Sequence, residues 1–140
     1  MKLKVLVDTC YWISLFDPTD DPRQTVEAER ISEEIEDEEI IIPFPTLYEF
    51  VNSRLSRREA KIEFEQLLLR PNVTRLNDTK YKEKALENFF IKSKHSHTDI
   101  SLVDEVLKLI IEDKQLKIDY IVSFDSGLVN DALSKGIKRI

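Results

Sequence analysis

Short apolar runs alternate with helix-patterned stretches along this chain, and that alternation limits what it can fold into more than any other feature. Leu3 to Val7, Ile40 to Ile42, Val73 to Leu76, Tyr120 to Phe124 and Ile137 to Ile140 read as strands. Each is brief, and the first two are bounded by turn or breaker residues, Asp8-Thr9 after one and Pro43 and Pro45 after the other. Between them the apolar period changes to that of a helix. A helical turn is predicted over Tyr11 to Phe16, and the Asp-Pro-rich break from Asp17 to Pro22 follows it. Ala28, Ile31 and Ile35 then mark an acidic amphipathic helix. Thr46 looks like the start of a helical pair whose apolar stripe runs through Leu47, Phe50, Val51 and Leu55, then Ala60, Phe64, Leu67 and Leu68. A lysine-rich helix carries Tyr81, Ala85 and Phe89, and Lys92 to Asp99 reads as a polar loop. From Leu102 to Ile111 only a narrow polar stripe remains, which predicts a helix buried on most sides. A last helix covers Leu128 to Leu133, with Gly136 as its stop. Strands alternating with helices imply an α/β fold with a mainly parallel sheet of about five strands.

A length of 140 residues suits one domain, 1–140, and 41% hydrophobic with 34% charged residues is a globular composition. The apolar start is far too short to span a bilayer, and with no signal-like segment a cytoplasmic protein is expected. Cys10 is the chain's one cysteine, so it has no internal disulfide partner; among apolar neighbours it reads as a small inert core residue. Tyr11 and Trp12, directly after a buried strand, read as core.

A net charge of −6 argues at first against a polyanionic partner. The acidity is local, however: the segment from Asp17 to Glu39 holds a net −9, which leaves +3 for the rest. Arg54, Arg57, Arg58 and Lys61 make one basic cluster; Lys80, Lys82, Lys84, Lys92 and Lys94 make a second. Each run alone is also what a solvated helix face looks like.

Four acids stand out by position. Asp8 follows the first strand, Glu49 sits at the start of the helix after the second, Asp104 in the first turn of the buried helix, and Asp125 after the Tyr120 to Phe124 strand. Taken singly, each is as readily structural: Asp8 and Asp125 suit helix caps or Asx-turns, Thr46-x-x-Glu49 matches a capping box, and Asp104 suits the positive end of a helix. Taken together they differ, because in a parallel sheet these positions share one edge, where ligands gather. Carboxylates crowded there repel one another at neutral pH unless cations intervene. Oxygen-only ligands select Mg²⁺ or Mn²⁺.

In order and spacing, Val-Asp8-Thr9, Thr46-x-x-Glu49-Phe50, Ser101-Leu-Val-Asp104 and Val-Ser123-Phe-Asp125 resemble the motifs of PIN-domain nucleases, and the resemblance spans nearly the whole chain. It is nearest to the VapC-like toxins of prokaryotic toxin–antitoxin pairs. The resemblance implies a three-layer α/β/α sandwich and a metal-dependent endoribonuclease with Asp8, Glu49, Asp104 and Asp125 as catalytic, metal-binding acids. It makes Thr9 and Ser123 supporting hydroxyls. It further implies an antitoxin protein as partner and a homodimer, for which the apolar side of the Leu47 to Leu68 pair is the candidate surface. Two departures stand out. Cys10 replaces the asparagine that many members carry, and the Asp17 to Glu39 segment is unusually negative for a protein that embraces RNA.

On this reading Arg54, Arg57, Arg58, Lys92 and Lys94 are candidate RNA contacts. His95 and His97 form a His-x-His pair, but no cysteine or third ligand stands at zinc spacing, so a polar loop with incidental histidines is the better reading. A haloacid-dehalogenase-like phosphatase needs a second acid where Cys10 stands, and a nucleotide-binding fold lacks its glycine loop. The rival that remains is a PIN-like scaffold that binds protein or RNA without cleaving.

Overall fold

A computed structural model describes residues 2–16, 21–95 and 99–140. The chain runs β1 (Lys4–Val7), α1 (Thr9–Phe16), α2 (Pro22–Ile35), β2 (Glu39–Pro43), α3 (Phe44–Ser53), α4 (Arg58–Leu68), β3 (Val73–Leu76), α5 (Lys82–His95), α6 (Leu102–Glu112), β4 (Tyr120–Val122), α7 (Ser126–Ser134) and β5 (Lys138–Arg139). The strands form one parallel sheet in the order β3-β2-β1-β4-β5. From β1 the chain builds outward through β2 to β3, then crosses back to place β4 on the other side of β1 and β5 beyond it. The reversal opens a crevice past the carboxyl ends of β1 and β4, where this class of sheet binds ligands.

Strand alternation divides the interior into two cores. Val5, Val7, Ile40, Ile42 and Val122 face α1 to α4, whereas Leu6, Ile41 and Ile121 face α5, α6 and α7. The sheet therefore lies between two helical layers, the α/β/α sandwich expected. The unbroken Ile40 to Ile42 run is what a strand covered on both faces requires. An aromatic cluster binds the first layer: Phe64 of α4 meets Trp12 of α1 at 5.4 Å and Phe50 of α3 at 5.0 Å, both edge to face. Tyr11 and Trp12 are core residues, each 1% exposed.

Several boundaries differ from the sequence reading. Helix α3 begins at Phe44, with Pro43 as N-cap and Pro45 in its first turn, where a missing N–H costs nothing. Thr46 is thus already inside the helix, fully buried, and its hydroxyl donates to Pro43 O at 2.7 Å. Helix α5 continues through Lys92 to His95 where a loop was expected. Basic side chains in its last turn suit the negative end of the helix dipole, and Lys92 is tied across to α6. Strand β4 ends at Val122, two residues early, because Ser123 turns to serve the site. Residues 17–20 of the acidic break lie outside the described residues, as does His97.

Most of the α3–α4 stripe faces inward: Leu47, Phe50, Leu55, Ala60, Phe64 and Leu67 are buried in this chain's own core, Leu68 is half-buried, and Val51 is exposed. Among the described residues no helix is long and apolar enough to cross a membrane.

Candidate metal centre

Asp8 is the first residue past β1, and its backbone N–H extends the ladder to β4 by donating to Val122 O at 3.0 Å. That pins its carboxylate at the crevice. Oδ1 accepts from Thr9 N–H at 2.7 Å and Oδ2 from the Ser123 hydroxyl at 2.8 Å. Burial pushes the Asp8 carboxyl above its ordinary range; the Ser123, Thr9 and Cys10 hydrogen bonds oppose that rise, and the charge of Asp125 adds to it.

Ser123 serves two acids. While its hydroxyl donates to Asp8, its Oγ accepts the Asp125 backbone N–H at 3.0 Å. Asp125 is the N-cap of α7, with Oδ1 accepting from Gly127 N–H at 2.9 Å and Leu128 N–H at 3.3 Å. Asp125 thus caps α7 while lining the crevice. Asp104 sits in the first turn of α6, whose N-cap Ser101 accepts the Asp104 N–H at 3.2 Å. Its carboxyl is pushed up to about 6, first by burial and then by the negative charges of Asp8, Asp125 and Glu49, against a smaller pull from Lys108.

Glu49 does not close a capping box, since Thr46 is no N-cap. Instead its Oε1 accepts the Thr9 hydroxyl at 2.6 Å, which links α3 to the residue beside Asp8. Thr9 thus hydrogen-bonds Glu49, and Ser123 hydrogen-bonds Asp8. All four acids line one cavity of about 380 Å³, together with Thr9, Cys10, Ser101 and Arg54.

The surroundings of Cys10 are polar, not apolar as expected. Its sulfur accepts the Phe124 N–H at 3.2 Å and lies 3.4 Å from Asp8 Oδ2. Burial, then the charge of Asp8, pushes the thiol up to about 12, which favours the neutral form.

The donor set fits a hard divalent cation. It offers the oxygens of four carboxylates, and the Asp104 carboxyl is raised first by burial and then by the charges of Asp8 and Asp125. Among the described residues no group of three or more acids, histidines or cysteines is placed closely enough to hold a metal ion.

The basic candidates separate. Arg54 lines the carboxylate cavity, whereas Arg57 donates to Phe16 O at 3.0 Å and anchors the end of α1. Arg58 begins α4, exposed, and Lys94 is exposed on α5; neither lines the cavity. Lys92 pairs with Glu105 and, with His95, lines a neighbouring cavity that also includes Asp104. Glu105 and Lys108 were missed in the sequence; their one signal is an acid and a lysine at (i, i+3) inside an otherwise apolar helix.

A PIN-domain family model matches residues 5–130, most of the chain. The chain belongs to the PIN-domain family. PIN domains are nucleases, and the four motifs lie within the matched span. Among solved structures this PIN domain is similar to VapC20 of Mycobacterium tuberculosis, a toxin described as cleaving the sarcin–ricin loop. The TM-score is 0.65 at 21% identity, with 89% of this chain and 92% of that chain covered. It is also similar to FitAcB from Neisseria gonorrhoeae, with a TM-score of 0.55 at 14% identity, covering 97% of this chain and 96% of that one. At such identities the likeness speaks for the fold. No protein of curated function matches the chain by sequence.

Proposed function

We propose that this PIN domain is a metal-dependent endoribonuclease, the toxin of a toxin–antitoxin pair. The observation that carries the reading is the meeting of Asp8, Glu49, Asp104 and Asp125 around one cavity at the carboxyl ends of β1 and β4. Asp8, Asp104 and Asp125 would hold Mg²⁺ or Mn²⁺, and Glu49, held by Thr9, would orient water. When bound, the cation supplies Lewis acidity, lowering the pKa of water and offsetting charge on the phosphate. The chain's own part is positional: Ser123 and Thr9 fix the acids, and Arg54 offers a cation at the rim for the RNA backbone.

RNA as substrate is supported by VapC20, whose described target is an RNA loop. Loops expose bases for reading. Next to Glu49 lies a mostly apolar cleft of about 400 Å³ whose wall includes Tyr48, an aromatic ring 65% exposed and suited to base stacking. A homodimer and an antitoxin belong to the same reading. The dimer surface is to be sought among Val51, the exposed member of the α3–α4 stripe, and Leu86, Phe90 and Ile91 on α5, all exposed. Light scattering that finds only monomer at high concentration would remove the dimer.

The test is cleavage of a mixed, end-labelled RNA set by the pure protein with Mn²⁺, with EDTA, and as Asp8→Asn. Cutting with Mn²⁺ that is lost in both controls supports the reading. A folded protein that cuts nothing under any condition is the scaffold instead.

A further inference from the structure

The cleft beside Glu49 has a volume of about 400 Å³, the size of a small-molecule site. Tyr48 lines it, with its ring leaning on Phe44 at 6.1 Å and still 65% exposed. Leu102 and Val103, at the start of α6, add apolar wall. Glu49 lines both this cleft and the carboxylate cavity, so the two spaces meet at that residue. Asp78 and Lys82 bring charge to the lining. They stand one helical turn apart, since Lys82 N–H donates to Asp78 O at 2.9 Å, and residues so spaced share a face. Among the described residues neither the Asp78 carboxylate nor the Lys82 ammonium has a hydrogen-bond or ion-pair partner. Nearby lysines differ: Lys80, Lys84 and Lys92 are all paired with acids.

With Glu49, the lining carries two negative charges and one positive, which disfavours a phosphate and suits a neutral ligand. An exposed ring, apolar walls and an open acceptor near an open donor are what a planar heterocycle needs, stacking through its face and hydrogen bonding along its edge. An apolar peptide side chain would use the walls alone. We propose that this cleft reads a guanine base on the nucleotide next to the scissile phosphate, with Tyr48 stacking on the base, Asp78 accepting from its N1–H and N2–H₂ groups, and Lys82 donating to O6. The proposal rests on the nuclease reading above and names the base that the site selects. Of the four RNA bases, guanine alone sets two adjacent donors on its Watson–Crick edge, matching both oxygens of a carboxylate, with an acceptor beside them for the ammonium. Adenine and cytosine offer one amino group next to a bare ring nitrogen, whose lone pair repels the second carboxylate oxygen. Uracil offers a single N–H between two carbonyls. Single-stranded or looped RNA leaves that edge open.

The test is anisotropy of short fluorescent oligouridylates carrying one central guanine, adenine or cytosine, or none, bound to the full chain in EDTA, alongside cleavage of the same RNAs in Mn²⁺. The guanine oligomer is expected to bind about tenfold more tightly than the others, the usual discrimination of a two-point edge contact. Asp78→Asn should erase that preference, with an unchanged melting temperature verifying the fold. Tyr48→Ala should weaken every oligomer about tenfold, the loss of one stacked base, and Tyr48→Phe should restore binding. Equal affinity for the four oligomers, or a guanine preference that survives Asp78→Asn, overturns the proposal; cutting of RNA by the same protein with Mn²⁺ then spares the nuclease reading. Tyr48→Ala binding every oligomer as wild type does also overturns it and leaves the cleft to a protein partner. A guanine preference that Asp78→Asn erases, in a protein that cuts nothing, keeps the cleft and removes the nuclease. A wild-type chain that binds none of the oligomers in EDTA or in Mn²⁺ overturns both.

Discussion

The Ser123 hydroxyl donates to Asp8 Oδ2 at 2.8 Å and, through the same oxygen, accepts the Asp125 N–H at 3.0 Å. One hydroxyl thereby sets the distance between two acids that come from the ends of different strands. Ser123→Ala removes the donor that most strongly opposes the upward push on Asp8, so that carboxylate should be harder to ionise and less well aimed. Activity at limiting Mn²⁺ is expected to fall about 10- to 100-fold, the usual cost of losing a group that orients a ligand. Titrating Mn²⁺ should recover part of the loss. A variant with the wild-type metal dependence would show that Ser123 is only a turn residue.

Thr9 makes a separable case. Its hydroxyl holds Glu49 across 40 residues of sequence, and Thr9→Val keeps the shape while removing the donor. Activity is expected to fall about tenfold or more on the same argument, while Thr9→Ser keeps most of it. Comparing kcat and melting temperature for the pair checks this. A parallel loss in both variants would point to packing rather than to the hydrogen bond.

How legible this was depends on whether the governing contact is local. Strands β1 and β2 announced themselves because a short run rich in branched apolar residues, closed by a breaker, has little else to be. The Thr46-x-x-Glu49 pattern misled for the opposite reason. Pro43 and Pro45 allow the helix to start two residues earlier, and this frees Glu49 for Thr9, a contact that no local spacing encodes. The α3–α4 stripe was visible, but not whether it faces inward or outward, since that depends on the Trp12, Phe50 and Phe64 cluster formed across three helices. Glu105 was hidden because an acid beside Asp104 reads as part of the polar stripe until α5 brings Lys92 over it.

Asp104 should make the metal-free protein less stable as pH rises. Its folded carboxyl titrates near 6 against an ordinary 3.8, so the folded state holds the proton more tightly than the unfolded chain does. The stability this gives is present in full below about 4 and is lost as pH climbs through 6. Melting in EDTA should therefore fall between pH 4 and 7, and Asp104→Asn should melt higher than wild type at pH 7 while losing cleavage. Mn²⁺ should cancel the pH trend in wild type and do nothing for the variant. A flat wild-type profile in EDTA would show that the carboxylates do not feel one another.

Asp113 carries the opposite sign. It closes the end of α6, accepts from Tyr81 Oη at 2.6 Å and from Lys80 Nζ at 2.8 Å, and is held at about 2, chiefly by the Lys80 and Tyr81 hydrogen bonds. Its contribution is present above the ordinary 3.8 and is lost as pH falls toward 2. Asp113→Asn is expected to lower the melting temperature at pH 7 and to lose that difference near pH 2. Tyr81 needs this partner, since burial and the Asp113 carboxylate both keep its phenol protonated. Equal destabilisation at both pH values would place the effect in packing instead.

The chemistry of the cut should be readable from the ends it leaves. Cleavage through the ribose 2′-hydroxyl needs a base beside that hydroxyl and an acid beside the leaving oxygen, roles that histidines often fill. Among the described residues the carboxylate cavity is walled by acids, hydroxyls, a thiol, Ile13 and Arg54, with no histidine. Acids engaged with a divalent cation are weak bases toward a sugar hydroxyl, whereas the same arrangement activates water. The products expected are a 5′-phosphate and a 3′-hydroxyl, identified by mass spectrometry and by direct ligation of the fragments. A 2′,3′-cyclic phosphate would overturn the hydrolytic route while leaving the PIN fold and the four-acid cavity as they are.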